Sequence, residues 1–566
     1  MAPRSSGRRG PALRARVRRI DPHRLDPRRW TTTDRLVALA VVAVLLAPTF
    51  AVVEALTHGW QPNGDDATIA LRTAGILDGQ LPVTGMRSTS GDGIDVNLST
   101  HHLGPLQFYL LALPLALAGG SAAGIAVGGG LIAATASVLT VTWARRLGGA
   151  LGVAVFTCGV LLTQWAIGTD ALFRPFNPFA PLLPTFLALV LLWALARDDR
   201  RALPPFVVAV SLIAQSNLAF LPLAGVLAVV AAALLLWPRL THTRRVRAAT
   251  DGRNHRWALG LGVVVWLPSI AELFVHHPNN LTQIVRWATS GTGDPIGFTE
   301  GATYLNLIAP APGGFRRSTE DLLVDGTGPA TVLGIGLVLL LAVIATGYRV
   351  PKGRASSAWP ARVALAANIG MLLTASRLPE WPLAPYWVIT WLPVAAFTWC
   401  ALVWRGLAYL DNATPHLRPR VALPLGGGLV AGGVAATALA LPPAWAEIDS
   451  MTAVAQAAGD DLGDGQGRHV QINGLGFTPT LGASPAIAWQ VHRQGWQPHF
   501  LTSWPFPEDA DHLWIESAPE GSDRLYVTDS TQPELIKDIS ASAQRVAMVP
   551  MQHREGELGI YRDRGD

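Results

Sequence analysis

The sequence has 566 residues, of which 50% are hydrophobic and only 15% are charged. Its mean hydropathy of +0.31 excludes an ordinary soluble protein and indicates a polytopic α-helical membrane protein. The net charge of +5 does not indicate nucleic-acid binding, because most of the basic excess lies between Arg4 and Arg35. The positive-inside rule places this basic tail, residues 1–35, in the cytoplasm.

Apolar runs of about 20 residues, each able to cross about 30 Å of hydrocarbon, recur along the chain. We predict about eleven transmembrane helices, over residues 36–56, 120–143, 148–168, 177–196, 203–216, 218–237, 257–275, 329–348, 360–376, 385–404 and 421–441. The first span is long for a signal peptide and is predicted to be a retained anchor. Cys158 and Cys400 fall inside apolar runs, so they predict neither a disulfide in an exported domain nor a metal site.

The segment from Leu103 to Leu117 decides the predicted topology. It is apolar but short, and it contains Pro105 and Pro114. If it does not cross the membrane, the basic clusters after the later spans all face the cytoplasm. We therefore predict an interfacial helix on the outer leaflet, in a multi-pass protein of the cell membrane whose N-terminus is cytoplasmic and whose first outer loop is large.

The composition changes abruptly after residue 441, from Ala-Leu-Gly repetition to a mixed polar sequence. We predict a transmembrane domain over residues 36–441 and a small extracytoplasmic α/β domain over residues 442–566. Its predicted helices are residues 444–458 and 485–492, and its predicted strands are residues 469–472, 524–528, 545–548 and 559–561. We expect this domain to shape access for an acceptor.

The densest group of chemically capable residues follows the first span. Asp65 and Asp66 come after a Pro-Asn-Gly turn signal and before the apolar-periodic segment Ile69–Leu77, as at the start of a helix. Two carboxylates are therefore expected just outside the membrane. A second outer loop carries Asp170 and Arg174.

Several motifs in this order resemble the GT-C superfamily of integral-membrane glycosyltransferases. They are a long outer loop after the first span, Gly64-Asp65-Asp66, His101-His102-Leu103-Gly104-Pro105-Leu106, and a span that ends in Ala-Arg-Arg-Leu-Gly-Gly. The branch that the chain resembles holds lipid A aminoarabinose transferases and protein O-mannosyltransferases. The Ala- and Arg-rich composition suggests a high-GC bacterium, and by analogy an actinobacterial type that uses decaprenyl-phosphate sugars on cell-wall arabinan or mannan.

The resemblance implies an inverting transfer of sugar from a polyprenyl-phosphate donor to a hydroxyl group. Such a transfer needs a carboxylate base and positive charge near the departing phosphate. Asp65 or Asp66 is the implied base, and the alternative is a helix cap with a neighbouring acid. Asp170 is the implied ligand of a divalent metal (Mg, Mn or Ca), and the alternative is an ion pair with Arg174.

Arginines on the outer face are candidates for binding the donor phosphate, because a guanidinium suits bidentate phosphate contacts. The candidates are Arg377, Arg316, Arg317 and Arg174. Arg377 is the first choice, and an ion pair with Glu380 is its alternative role.

Three further residues, His101, His102 and Arg72, are candidates for binding substrate. The two histidines could orient the donor phosphate or ligate a metal, and the alternative is an anchor at the level of the lipid headgroups. The expected partners are the donor lipid, membrane lipids and a glycan, glycolipid or protein acceptor, with no nucleic acid.

Two other classes of function stay open at the level of sequence. A transporter or flippase of lipid-linked sugar would place ionisable residues near the bilayer midplane, whereas Glu54 and Glu272 lie close to the outer ends of their spans. A non-catalytic envelope-assembly protein would have its functional part in residues 442–566. The cluster of outer acids favours a glycosyltransferase over both.

Overall fold

The computed structural model describes residues 30–88, 100–240, 248–289, 296–308, 358–377, 389–410, 419–501, 513–515, 517, 519–552 and 555–563. Most of the predicted basic tail and the predicted span 329–348 lie outside these residues, and so do Arg316 and Arg317.

The apolar runs form long helices, as expected for segments whose backbone must satisfy its own hydrogen bonds in lipid. The helices before residue 280 are α1 (Thr32–His58), α2 (Gly64–Leu77), α3 (Leu106–Leu117), α4 (Ala122–Ile167), α5 (Asp170–Phe173), α6 (Leu182–Ala196), α7 (Leu203–Ser216), α8 (Leu221–Leu240) and α9 (Ala248–Val275). Those that follow are α10 (Asn280–Thr289), α11 (Gly297–Ile308), α12 (Trp359–Ala375), α13 (Leu392–Leu410) and α14 (Pro419–Ala438).

Each predicted span within the described residues overlaps one of these helices. By length and composition, four of the described helices could cross a membrane, at residues 32–58, 122–167, 218–236 and 252–275, and several shorter apolar helices accompany them. These helices support a membrane protein, while the total of about eleven spans and their orientation stay predictions.

Helix α4 is two helices joined at a sharp break. Gly149 has φ 60° and ψ −145°, a conformation that glycine adopts at low cost because it has no Cβ atom. The break falls at the start of the second of the two spans predicted over residues 120–143 and 148–168. Helix α3, by contrast, is a single helix of 12 residues, which at 1.5 Å per residue is about 18 Å long and too short to cross the hydrocarbon core.

The membrane-facing part is held together by close helix contacts. α1 packs along both α4 and α14. A Cβ atom added to Gly433 of α14 would lie 2.7 Å from the carbonyl oxygen of Ala43 in α1, so the two backbones approach closely only because that residue is glycine.

The C-terminal part contains a mixed sheet of six strands flanked by helices. The strands are β3 (His469–Leu475), β4 (Gln497–Leu501), β5 (Trp514–Ile515), β6 (Asp523–Asp529), β7 (Gln544–Pro550) and β8 (Glu557–Asp563), and a short pair β1 (Arg87–Ser88) and β2 (Thr100–His101) lies in the first outer loop. The spatial order is β5-β4-β3-β6-β8-β7. β3 runs parallel to β4 and β6, and β8 runs antiparallel to β6 and β7.

The helices of this part are α15 (Trp445–Leu462), α16 (Ser484–Arg493) and α17 (Pro533–Ser540). The four predicted strands lie inside β3, β6, β7 and β8, and the two predicted helices coincide with α15 and α16. β4, β5 and α17 were not predicted from the sequence. β4 and β5 are short strands at one edge of the sheet, and their residues lack a clear alternation of apolar and polar types.

The C-terminal part packs against the C-terminal end of α1 and against α2. Trp445 stacks on His58 with 4.0 Å between ring centroids, and its indole N–H donates to Glu54 Oε1 (3.2 Å). His58 Nε2 also contacts Asp449 Oδ1 (3.0 Å). Helix α16 packs against α2, so the sheet lies next to the helix that carries Asp65 and Asp66.

Candidate functional site

Helix α2 begins where the sequence predicted a helix with an acidic first turn. It starts at Gly64, and Asp65 and Asp66 occupy its first turn, where the positive end of the helix dipole favours carboxylates. Asn63 forms no side-chain cap. Because successive helical residues point about 100° apart, the two carboxylates face different surroundings.

Asp66 is fully buried, with 0% exposure, and is committed to an ion pair. Arg174 Nε donates to Asp66 Oδ2 (2.5 Å), and Arg174 Nη1 donates to Asp170 Oδ2 (3.0 Å). Burial raises the pKa of Asp66, and the Arg174 guanidinium opposes that shift. The pKa of Arg174 itself is raised by the two carboxylates against its own desolvation, so the guanidinium stays charged.

Asp65 differs from its neighbour because it has no partner. It is partly buried and forms no hydrogen bond or ion pair within the described part of the chain. Burial, together with the adjacent Asp66 carboxylate, raises its pKa to about 7, although the Arg174 charge acts in the opposite direction. We call Asp65, Asp66, Asp170 and Arg174 the acid–arginine cluster.

An apolar cleft lies directly beside this cluster. Arg174 is part of its wall, and most of the other lining side chains are aliphatic or aromatic, among them Ile132, Ala133, Phe179 and Leu183. The guanidinium also lies over the Phe179 ring, 6.0 Å from its centroid. The cleft thus joins a cationic head region to a surface suited to hydrocarbon.

The histidine motif of the first outer loop folds into a different, uncharged group. His102 is buried, its Nδ1 accepts from the Leu218 backbone N–H (3.2 Å), and its Nε2 lies 2.5 Å from the Asn177 side-chain amide. Desolvation lowers the pKa of His102 to about 3, so the ring is neutral at physiological pH. We call His102, Asn177 and Leu218 the histidine network.

His101 is fixed through its backbone. Its N–H donates to Asn280 Oδ1 (2.8 Å), and Asn280 Nδ2 donates to the His101 carbonyl oxygen (3.0 Å). The Asn280 backbone N–H donates in turn to Glu272 Oε1 (2.7 Å), and His276 Nδ1 lies 3.5 Å from the same oxygen. Helices α9 and α10 therefore hold strand β2 in place.

The remaining candidates lie apart from one another. Arg72 is buried, with its guanidinium 3.4 Å from both oxygens of Thr84 and 5.6 Å from the Phe108 ring centroid. Arg377 is exposed at the end of α12. The structure thus brings together Asp65, Asp66, Asp170 and Arg174, and it places the two histidines and Arg72 in buried packing positions.

The contacts made by Asn177, Asn280 and Glu272 were not predicted from the sequence. Asn177 and Asn280 each follow a proline-containing or aromatic loop segment, and nothing local to either residue marks a contact with the first outer loop. Glu272 was noted only as an acid near the end of its span, although it is 4% exposed and hydrogen-bonded. Only the spatial approach of distant segments shows these roles.

The predicted metal ligand, Asp170, shares Arg174 with Asp66. A guanidinium lies between the two carboxylates, where a bridging cation would otherwise bind, and the ion pair that was the alternative role of Asp170 is present. Within the described ranges no group of three or more His, Cys, Asp and Glu side chains is arranged so that it could hold a metal ion. The divalent metal stays a prediction.

The chain matches no model of a known protein family and no curated protein. Among solved structures it is similar to ArnT from Cupriavidus metallidurans bound to undecaprenyl phosphate, at 13% identity and a TM-score of 0.46, over 88% of this chain and 97% of that chain. The apo form gives the same identity and TM-score over 87% and 97%.

An oligosaccharyltransferase from Archaeoglobus fulgidus, solved in complex with zinc and sulfate, is similar at 14% identity and a TM-score of 0.38, over 81% of this chain and 61% of that chain. At these TM-scores the likeness carries no argument about activity, which therefore depends on the geometry of the site.

Proposed function

We propose that the protein is a glycosyltransferase that moves a sugar from a polyprenyl-phosphate donor to a hydroxyl group of a cell-envelope acceptor, on the outer face of the membrane. One observation carries this proposal. A carboxylate whose pKa is about 7, and which has no partner within the described residues, lies in the same cluster as a fixed guanidinium that lines an apolar cleft. These are the groups that a lipid-linked, anionic leaving group and a proton-releasing acceptor require.

Asp65 is the proposed base. Its carboxylate is partner-free within the described residues, whereas Asp66 is held by Arg174. A base works best when its pKa is close to the working pH, because a substantial fraction of it is then ionised while the ionised form still binds a proton well. Asp66 and Asp170 are proposed as positioning residues, because they fix Arg174 through its Nε and Nη1 atoms.

Arg174 is proposed to bind the donor phosphate. Its Nη2 atom forms no hydrogen bond within the described part of the chain, so the outer edge of the guanidinium can donate to phosphate oxygens. The polyprenyl chain would lie along the aliphatic wall of the cleft that Arg174 borders. Arg377 is a second candidate, since it is exposed on the same predicted face.

The proposed step is a single displacement. The acceptor oxygen forms a bond to the anomeric carbon, the bond from that carbon to the phosphate oxygen breaks, and the acceptor proton moves to the Asp65 carboxylate. The leaving polyprenyl phosphate keeps the bonding electron pair next to Arg174. Attack from the face opposite the leaving group inverts the anomeric configuration. The sugar and acceptor are left unnamed.

The test compares Asp65→Asn with Asp66→Asn in purified protein, with radiolabelled polyprenyl-phosphate sugars as donors and cell-envelope extract as acceptor. Asp65→Asn should lower turnover by about 10² to 10⁴ while donor binding persists, because asparagine keeps the shape but cannot accept the proton.

Asp66→Asn should instead weaken donor binding, because it loosens Arg174. Asp449→Asn serves as a control, since the polar contact of Asp449 within the described residues is with His58, outside the acid–arginine cluster. Near-normal transfer by Asp65→Asn would contradict the assignment of the base.

A further inference from the structure

The C-terminal sheet has a topological switch point between β3 and β6. From β3 the chain passes through α16 to β4, which lies next to β3 on one side. On the other side of β3 lies β6, from which the chain passes through α17 to β7 in the opposite direction across the sheet. Both crossovers join parallel strands and are expected to be right-handed, so α16 and α17 lie on opposite faces of the sheet. A crevice at the carboxyl ends of the strands is where open α/β sheets bind ligands.

Buried polar atoms without partners lie along this edge. Four such atoms, with no hydrogen bond within the described ranges, belong to residues at the ends of β3 and β6 or the starts of α16 and α17: Asn473 Nδ2, Ser484 Oγ, Thr528 Oγ1 and Gln532 Oε1. Thr528 is 0% exposed and Ser484 is 2% exposed. Because a buried polar atom left unpaired costs about 1–3 kcal/mol, four of them at one edge require partners, which bound water or the hydroxyls of a ligand can supply.

The turn after β3 has the geometry of a binding loop. Gly476 has φ +102°, a backbone conformation that favours glycine, and a Cβ atom added to it would lie 2.9 Å from Gln532 Nε2. The next residue, Phe477, is 81% exposed. A five-residue π-helical turn, Pro479–Ala483, follows and leads into α16, and π turns are frequent at functional sites.

The same turn touches the helix that carries the proposed base. A Cβ atom added to Gly64, the residue before Asp65, would lie 3.0 Å from the Leu481 carbonyl oxygen. The turn at the carboxyl edge of the sheet therefore packs directly against the start of α2, one residue before Asp65.

The chemistry of the edge selects for uncharged, hydroxyl-rich molecules. The four unpaired atoms come from two amides and two hydroxyls, which match sugar hydroxyls because these both donate and accept. Asp529, next to Thr528, is 6% exposed and places a carboxylate where a phosphate would be repelled. An exposed aromatic ring beside polar groups suits the apolar face of a sugar ring.

We propose that the switch-point crevice, formed by Asn473, Gly476, Phe477, Ser484, Thr528 and Gln532, binds a neutral carbohydrate. That this carbohydrate is the acceptor rests on the proposed function; that it binds does not. Phe477 stacks on a sugar ring at the rim, and the Thr528 and Ser484 hydroxyls bond to sugar hydroxyls inside.

The test measures binding to the purified full-length protein without donor lipid. The probes are neutral tetrasaccharides of mannose, arabinofuranose, galactofuranose and glucose, followed by saturation-transfer NMR and titration calorimetry. The wild-type protein should bind at least one of them. Absence of binding to the whole panel would overturn the proposal.

Thr528→Val and Phe477→Ala should each weaken that binding by about three- to tenfold. Thr528→Val should not lower the thermal unfolding midpoint, because it replaces an unpaired buried hydroxyl by a methyl group of the same size. A purely structural threonine would show the reverse pattern. Unchanged binding by both variants would also overturn the proposal.

Thr452→Val is the matched control, since the Thr452 hydroxyl already donates to the Ile448 carbonyl oxygen (2.8 Å), and it should bind carbohydrate as the wild type does. Asp65→Asn separates the two proposals: it should bind the probe normally even if it has lost transfer. If Asp65→Asn keeps transfer activity, the proposed function fails while the carbohydrate site stands on its own binding data.

Discussion

The acid–arginine cluster and the histidine network both contain residues that were predicted from the sequence as site residues, but the two groups differ in charge. In the cluster, Arg174 joins two carboxylates, and Asp65 has no partner within the described residues. In the network, His102 is neutral and both of its ring nitrogens are occupied.

This difference separates residues with chemical capacity from residues with a packing role. A neutral network whose groups are satisfied makes a local structure unique and rigid. A cluster with one carboxylate left over can exchange a proton with a substrate. The presence of several polar residues did not distinguish the two groups. The number of hydrogen-bond and ion-pair partners of each side chain does distinguish them, and it favours Asp65 as the proposed base.

Removing Arg174 should have the largest effect. Arg174→Gln leaves Asp66 buried without its counter-charge, which costs about 3–5 kcal/mol of folding free energy, and it should abolish donor binding. The measurement is thermal unfolding in detergent together with binding of a radiolabelled polyprenyl-phosphate sugar.

The double variant Arg174→Gln, Asp66→Asn is the control for folding. It should recover most of the lost stability, because the buried charge is gone, but not the donor binding. Recovery of donor binding would show that Arg174 does not hold the phosphate.

Disrupting the histidine network should cost less, and the cost should be larger at pH 8 than at pH 5. His102→Ala leaves the Leu218 N–H and the Asn177 amide without their partner, at about 1–3 kcal/mol. The His102 pKa is lowered from 6.5 to about 3 in the folded state, so below about pH 6.5 the unfolded chain binds a proton that the folded chain does not, and wild-type stability falls there. The alanine variant lacks this titration, so its loss of unfolding free energy should be smaller at pH 5 than at pH 8 by about 2 kcal/mol. An equal loss at both pH values would show that the folded-state pKa of His102 is not lowered.

Asp65 should make folding stability depend on pH in the opposite sense from a salt-bridged carboxylate. Its pKa is raised in the folded state from 3.8 to about 7, so the folded state holds the proton more tightly than the unfolded chain does. Stability from this group is present below about pH 4 and is lost as the pH rises to about 7.

Asp65→Asn should therefore unfold at a higher temperature than the wild type at pH 8 and at a similar temperature at pH 4. Transfer by the wild type should increase with pH through about 7, as the base ionises. A pH profile that is flat between pH 5 and pH 8 would contradict the role of Asp65.

The smallest effect is expected for Arg377, which is exposed at the end of α12. If Arg174 is the main contact of the phosphate, Arg377→Ala should change stability by less than about 0.5 kcal/mol and donor affinity by less than about threefold. A loss of donor affinity comparable to that of Arg174→Gln would transfer the phosphate-binding role to Arg377.

Apolar runs and hydrophobic periodicity located the long apolar helices and four of the six strands of the C-terminal sheet, because burial imposes a pattern on neighbouring residues. They did not predict α5, α10, α11 or α17. They did place Asp65 and Asp66 in the first turn of α2, and the ion pair of Asp170 with Arg174 is a local i, i+4 contact that spacing can suggest. The pairing of Asp66 with Arg174 joins residues that are 108 positions apart. No periodic signal specifies such a contact, so the sequence could not tell which of the two acids is free.

The two histidines show the same limit of sequence-based prediction in the opposite case, because residues predicted as ligands occupy buried packing positions. Two adjacent histidines before an apolar helix suggested a ligand, but their partners, Asn177 and Asn280, come from segments far along the chain. The neutral state of His102 depends on desolvation by those segments. A sequence records the residue types and not the dielectric environment that decides their protonation.

The contact between Gly64 and Leu481 has a consequence for biosynthesis. Helix α2 leaves the ribosome early, while the turn Pro479–Ala483 and helix α16, which pack on it, come from the last part of the chain to be made. Until that part is translated and packs on α2, the start of this helix is less buried than in the complete protein, and we expect the pKa of Asp65 to be closer to that of an ordinary aspartate. The order of synthesis therefore predicts that the proton affinity of Asp65 reaches its final value only after the last part of the chain has folded.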